Sequence, residues 1–215
     1  MVLIMTERDV FWKLYKAGFN VVPVNRSKKP LTSWSPRKRI EEGKLRRLLV
    51  KAEGIAIVGG PENPFKPVAV LALIDIDNPE ALGKYRILRD IVNRTVSWYT
   101  GPRCPKCLSK RLEVIEYGKR FKCSSCSTEF GVEEARRGVG ALVTIDNDAY
   151  EKYFRGTIRG KDVELLVNNY QLIPPSIHPT GVRYEWVRPF DFNSPNYGIH
   201  PLTEAEVEAL LQELG

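Results

Sequence analysis

The chain carries two histidines and four cysteines in 215 residues, and no apolar run near the roughly 18 residues that a membrane-spanning helix needs. Its longest apolar stretches are strand-sized and broken by charge, and no apolar signal segment opens it. The expectation is a soluble, cytoplasmic protein without membrane contact. Internal repeats and low-complexity tracts are missing as well. The cysteines do not suit a disulfide framework: all four fall in one short segment as two C-x-x-C pairs, the pattern of metal ligands in a reducing compartment.

Hydrophobic residues make up 43% of the chain, enough to fill the core of one large domain or of a medium domain carrying a small insert. Lys plus Arg number 33 against 26 Asp plus Glu, a formal charge of +7 that favours polyanionic partners such as nucleic acid or nucleotides. Charge balance alone leaves open whether nucleic acid is bound.

The first helix is expected to start at Thr6 as N-cap, bury Val10, Phe11, Leu14 and Tyr15 on one face, and stop at Gly18. A strand follows over Phe19 to Val24. Arg26 to Pro30, Trp34 and Arg37-Lys38-Arg39 form a basic loop leading to a helical stretch around Ile40 to Lys51. Gly54 to Gly60 reads as a short buried strand ending in a glycine turn, and Pro67 to Asp77 as a central strand covered on both faces. A helix over Asn78 to Asn93 and a strand over Thr95 to Tyr99 precede the cysteines. Gly138 to Ile145 returns to strand character, and Val163 to Val167 with Tyr170 to Ile173 flank Asn168-Asn169 as a two-residue hairpin. Thr203 and Glu206 form a capping box for a last helix whose apolar stripe is Val207, Leu210, Leu211 and Leu214. The alternation points to an α+β or α/β core, with the cysteine unit as an excursion from one loop.

Cys104, Cys107, Cys123 and Cys126 are spaced C-x2-C-x15-C-x2-C, which lets two thiolate pairs converge tetrahedrally on one zinc. Leu112 to Glu116 and Arg120 to Lys122 read as hairpin arms turned at Tyr117-Gly118-Lys119, the layout of a zinc ribbon. Four thiolates leave no open coordination position, so the metal is structural. Arg103, Lys106, Lys110, Arg111, Lys119, Arg120 and Lys122 surround it, a basic finger that grips a phosphate backbone or docks a protein partner.

Asp75 and Asp77 are one residue apart on a strand, so both side chains leave the same face while Ile74 and Ile76 take the other. Two carboxylates about 7 Å apart at their Cα atoms suit Mg²⁺ or Mn²⁺, although acids also simply cap strand ends. Glu164 is a third acid, inside a hydrophobic arm where ionisation is costly unless paired or metal-bound.

Together these segments resemble the primase-polymerase domain of archaeal plasmid replication proteins, in the archaeo-eukaryotic primase superfamily. Gly18 to Val24 with Ser27-Lys28-Lys29-Pro30 and Trp34 is similar to the family's opening strand and lysine-proline-tryptophan signature, and Ile55 to Gly60 to its next strand and turn. Ile74-Asp75-Ile76-Asp77 is similar to its first catalytic motif, Glu164 to its third metal-binding acid, and Tyr170 to Gly181 with Tyr184-Glu185-Trp186 is the most specific match. One strand departs: where the family carries Gly-Gly-x-His with a nucleotide-contacting histidine, Arg137 to Leu142 puts Ala141 in that slot.

The resemblance implies an RRM-like antiparallel catalytic sheet, an N-terminal α/β part that completes the cleft, and one domain over residues 1–215 with a zinc ribbon inserted at 101–130. It implies DNA primase and polymerase activity, that is, template-directed primer synthesis and extension. Asp75, Asp77 and Glu164 would hold Mg²⁺ or Mn²⁺; with Ala141 in the histidine slot, the expected nucleotide-binding groups are Ser176, His178 and Arg183 of the loop Ser176 to Arg183, with Lys28 and Lys29 next in line. The implied partners are single-stranded DNA template and primer, nucleoside triphosphates, and a fused or separate helicase. A reactive serine or cysteine is not required, because phosphoryl chemistry of this kind needs positioning and charge neutralisation. The competing expectation is a non-catalytic nucleic-acid-binding module in which Ala141 records a lost active site. His200, isolated after Gly198-Ile199, reads as structural.

Overall fold

The structure is a computed structural model that describes residues 5–154 and 157–214, with the side chains of residues 5–8 outside the description. Along the chain, α1 (Met5–Lys16) leads into β1 (Val21–Val24), α2 (Glu42–Leu49) into β2 (Gly54–Val58), and β3 (Ala69–Ile76) into two short helices, α3 (Ala81–Lys84) and α4 (Arg86–Val92). After β4 (Ser97–Arg103) the cysteine segment contributes β5 (Leu112–Glu116), β6 (Arg120–Cys123) and β7 (Glu129–Gly131). The rest is β8 (Arg136–Asp146), α5 (Asn147–Tyr153), β9 (Ile158–Arg159), β10 (Val163–Leu166), β11 (Tyr170–Ile173), β12 (Glu185–Arg188), β13 (His200–Leu202) and α6 (Glu204–Leu214). None of the described helices is long and apolar enough to cross a membrane.

The architecture is mixed α+β with antiparallel sheets. A seven-stranded sheet runs β12-β4-β8-β3-β10-β9, with β13 paired in parallel to the far end of β8. A three-stranded sheet, β1-β2-β11, and a second one, β5-β6-β7, are wholly antiparallel. The alternation along β3 shows how the large sheet serves two cores. Leu71 and Leu73 enter a core shared with β1, β2 and the helices α1 and α2. Val70, Ala72, Ile74 and Ile76 enter another, closed by α3 to α6. A strand with both faces covered must be apolar at nearly every position, which is why this run shows no polar alternation until its last residues.

Four local expectations change. Helix α1 already includes Met5, so Thr6 lies inside its first turn and not ahead of it; its stop is as expected, with Gly18 at φ +98°. The helix expected over Asn78 to Asn93 is broken at Tyr85, which is extended at φ −104°, ψ 108°. The restart is made possible by α6: the Glu213 carboxylate accepts from the N–H groups of Ile87 (3.0 Å) and Leu88 (3.2 Å), satisfying donors that a helix start leaves open. Helix α5, not expected, is capped by Asp146, whose side chain accepts from Ala149 N–H at 2.8 Å.

The fourth change matters most for the site. Asn168 is left-handed, φ +59°, as a turn there requires, but β10 and β11 do not form a hairpin. Strand β10 pairs with β3 and β9, while β11 pairs with β2 in the other sheet. Val163 and Leu165 bury in one core and Leu172 and Ile173 in the other, so the turn hands the chain from sheet to sheet. The C-terminal capping box is present, with Glu206 N–H on Thr203 Oγ1 at 3.2 Å and Thr203 N–H on Glu206 Oε2 at 3.0 Å.

Candidate active site

Asp75 and Asp77 continue the face of β3 that carries Leu71 and Leu73, just where the shared core ends and a cleft opens. On the neighbouring strand Glu164 is registered directly opposite Asp75, and directly opposed residues of an antiparallel pair project to the same face. Three carboxylates therefore share one side of the sheet. Each has a different environment. Glu164 is paired with Arg159 (Nε to Oε1, 3.2 Å). Asp77 is bonded by the Arg103 guanidinium on one oxygen and approached by Lys110 Nζ on the other at 3.5 Å. Asp75 is the most enclosed, and burial, then the charges of Asp77 and Glu164, push its carboxyl up to about 6 despite Arg103 and Lys28 nearby. A divalent cation would relieve that repulsion, and carboxylate oxygens are the donors Mg²⁺ or Mn²⁺ takes, but among the described residues only the four cysteines are drawn into one ligand cluster, and Glu164 is not among the residues lining the cleft.

The cleft encloses ≈ 360 Å³, with Asp75 and Asp77 facing Lys28, Arg103, His178 and Tyr184. Burial lowers the Lys28 ammonium, Asp75 pulling against it and Lys110 and Arg103 adding to it. Burial, with the charges of Lys28, Arg103 and Arg137, drops the His178 imidazolium to about 3, so this ring is neutral at working pH. Its Nδ1 accepts from the Thr180 backbone N–H at 3.3 Å and lies 2.8 Å from Thr180 Oγ1. The proton is thus assigned to Nε2, leaving a hydrogen-bond donor and not an acid. Nε2 rests against Gly101, where a Cβ would come within 2.5 Å of it. Tyr184 is buried beside them, its phenol shifted upward by burial and by Asp75. Arg103 Nε and Gln171 Oε1 are buried without a hydrogen-bond partner, and both residues line the cleft, which fits a polar ligand there.

Several expected site residues stand elsewhere. Ser176 is fully buried with its hydroxyl spanning Ile55, accepting from its N–H at 2.8 Å and donating to its carbonyl at 3.0 Å, so it braces β2 and does not face the cleft. Arg183 is exposed, with Nη1 donating to the Pro175 carbonyl at 3.3 Å. Alternation explains it: Val182 and Tyr184 on either side are the buried pair. Lys29 is exposed beside the cleft residue Lys28. Ala141, taken as the slot of a missing histidine, is buried in the core on the opposite face of the sheet. The residue opposite Asp75 is Gly140, whose side-chain space is filled by the Trp98 ring. His200 binds the Glu206 carboxylate at 3.1 Å and does not line the cleft.

Conversely, Arg103, Lys110, Tyr184 and Gln171 belong to the cleft and were not assigned to it. The first two are visible in sequence as part of the basic finger, but nothing local signals their reach to Asp77. Of the other basic loops, Arg39 donates to the Tyr15 carbonyl and lies 4.0 Å above the Tyr15 ring, and Arg46 pairs with Glu42. Arg37 and Lys38 are exposed.

The cysteine segment folds as two equivalent turns. Leu108 N–H bonds Cys104 O at 3.0 Å and Ser127 N–H bonds Cys123 O at 2.8 Å, with Leu108 (φ 58°) and Ser127 (φ 57°) both left-handed. The four sulfurs lie within 4.8 Å of one another, with Sγ contacts of 3.4–3.5 Å. A tetrahedral ion with metal–sulfur bonds of about 2.3 Å needs sulfurs about 3.8 Å apart, so the set can hold a metal ion. Thr128 pulls the Cys126 thiol down to about 6 through its hydroxyl and backbone N–H, while Cys107, against the pull of the Ser109 N–H, is pushed up to about 12 by hydrogen bonds among the cysteines, so the four thiols share their protons as one set. Phe121, Phe130 and Val182 pack around Cys104 and Cys123 as a small separate core.

A family model described as bifunctional DNA primase/polymerase, N-terminal, matches residues 12–205. No curated protein matches the chain.

Proposed function

Because the chain belongs to the bifunctional DNA primase/polymerase family, with residues 12–205 matched, we propose that it starts and extends strands on a single-stranded DNA template by a two-metal carboxylate mechanism. DNA and nucleotides are its substrates, and a helicase, fused or separate, would supply unwound template. Asp75, Asp77 and Glu164 hold the cations, and the register of Glu164 opposite Asp75 is the observation that carries the reading. Mg²⁺ or Mn²⁺ bound there would activate the primer hydroxyl and neutralise the triphosphate.

The chain's own contribution is positioning and charge. Lys28, Arg103 and Lys110 place three cations around the carboxylates, and a triphosphate can compete with Asp77 for Arg103 and Lys110. His178 offers a neutral Nε2–H donor whose charge state does not vary near pH 7. These groups take over the nucleotide contacts first expected of Ser176, Arg183 and Lys29. We read the seven-stranded sheet as the RRM-like catalytic sheet, the β1-β2-β11 part as the wall that closes the cleft, and residues 101–130 as a structural zinc ribbon inserted in a single domain. Primer synthesis and primer extension with labelled nucleotides, with and without Mn²⁺, test the reading. Synthesis that depends on the metal and on Asp75 supports it, and a protein that binds DNA but incorporates nothing under either condition favours the non-catalytic module.

A further inference from the structure

The cysteine segment does not project freely from the fold. At its root Arg103, next to Cys104, bonds Asp77, and Lys110, between the two cysteine pairs, approaches the other Asp77 oxygen. Its hairpin tip, Tyr117-Gly118, reaches two other loops that carry cleft residues. Gly118 N–H donates to the Thr180 carbonyl at 2.9 Å, while Thr180 N–H and hydroxyl engage His178 Nδ1 from the other side. One residue therefore links the tip to the imidazole and to its tautomer. The approach is close enough to need glycine on both sides: Gly118 is at φ +74° and Gly181 at φ +95°, and a Cβ on Gly181 would lie 2.5 Å from Gly118 N. Val182, next along the loop, is buried in the core of the cysteine segment. On the other flank the Tyr117 ring lies 4.6 Å from the Arg26 guanidinium, in the same tight turn that sets Lys28 at φ 64°.

We propose that the cysteine module is the positioning wall of the nucleotide pocket, its tip residues Tyr117 and Gly118 holding the loops that present Lys28 and His178 while its root presents Arg103 and Lys110. This rests on the nucleotidyl-transfer reading and assigns the module a different task from gripping template. Three of its outer cations are already engaged, Lys119 with Glu116 at 2.5 Å and Arg120 and Lys122 with Glu129 at 3.8 and 3.9 Å, while Lys106 and Arg111 are exposed. Tyr117 and Gly118 are positioning residues, since neither lines the cleft.

Two substitutions in the full chain test it, Gly118→Val, which forces a branched side chain onto Gly181, and Tyr117→Ala, a surface change that leaves the fold intact. Binding of a non-hydrolysable deoxynucleoside triphosphate with Mn²⁺ is measured directly, alongside KM and kcat for extension, zinc content and template affinity. Gly118→Val is expected to weaken triphosphate binding about tenfold or more, the scale of one charge-assisted hydrogen bond, and Tyr117→Ala about threefold, the scale of an exposed cation–π contact. KM should rise with kcat nearly constant, and zinc content and template affinity should stay at the wild-type level. Wild-type triphosphate affinity in both variants overturns the inference, as does a loss of stability and kcat without a change in that affinity. A wild-type chain that binds no triphosphate overturns the nucleotidyl-transfer reading itself, and this inference with it.

Discussion

The cysteine module and the carboxylate cleft are both polar sites, but they are assembled on different scales. The four thiols come from a segment of 23 residues, and two local turns with matching left-handed residues bring their sulfurs within 4.8 Å. The cleft draws Lys28, Asp75, Arg103 and Gln171, with His178 and Tyr184 from one loop, out of five separate stretches and two sheets. A site closed by local turns can fold around its ion with little help, whereas a site closed by sheet packing exists only when the whole core is formed. The two should therefore fail differently.

Removing a cleft carboxylate is the largest expected perturbation of activity. Asp75→Ala or Asp77→Ala should lower nucleotide incorporation by on the order of a thousandfold or more, while thermal unfolding stays cooperative, because a cluster of like charges is relieved by losing one. Substantial incorporation by the double variant would remove these residues from the metal site.

Cys123→Ser, or chelation of the native protein, tests the other half. Metal analysis should find one zinc per wild-type chain, and its loss should open residues 104–130 to protease while the seven-stranded sheet, β4 included, keeps its protection. Collapse of the whole domain would mean that the module is not a local site. Between these extremes lies His178, a cleft residue held from the module side. His178→Ala should weaken triphosphate binding about tenfold with template affinity unchanged, read by nucleotide titration at fixed Mn²⁺.

In pH dependence the cleft and the C-terminal cap run in opposite directions. Folded Asp75 holds its proton up to about 6, against 3.8 for the free side chain. Between those values the folded state binds more protons than the unfolded one, so the stability of the metal-free chain should fall as pH rises from about 4 to about 6, by on the order of 2 kcal/mol. Denaturant titrations of wild type and Asp75→Asn across that range should differ by this slope, the variant lacking the fall. Glu206 runs the other way. Its partial burial is outweighed by the Thr203 cap, Arg94 and His200, which hold it at about 2. Its contribution is present above about 4.5 and is lost as pH falls toward 2.

The same contrast in scale governs what could be read in advance. The spacing of the cysteines, the glycine stop after α1, the capping box of α6 and the acid pair at the end of β3 each depend on neighbours a few residues apart, and each stands in the structure as read. The turn at Asn168-Asn169 was legible as a turn and misread as a hairpin, since positive φ at Asn168 says that the chain reverses and not which sheet receives it. The break at Tyr85 was illegible because the carboxylate that satisfies the restart, Glu213, lies more than a hundred residues further along the chain. Ala141 was placed by counting along a motif, but its face follows from the pairing of β8 with β3, where Gly140 and not Ala141 stands opposite Asp75.

By itself, then, the amino-acid sequence determined the family, the α+β composition, the four-thiol cluster and the two aspartates on one strand face. The family follows from the resemblance of several motifs taken together, and the rest from local periodicity and spacing. Tertiary structure alone decided that Glu164 faces Asp75, that Arg103 and Lys110 belong to Asp77, that Ser176 braces β2, and that the hairpin tip rests on the His178 loop. Register between distant strands and the close approach of two glycine backbones are set by how whole faces bury together, and no window of neighbouring residues carries that information.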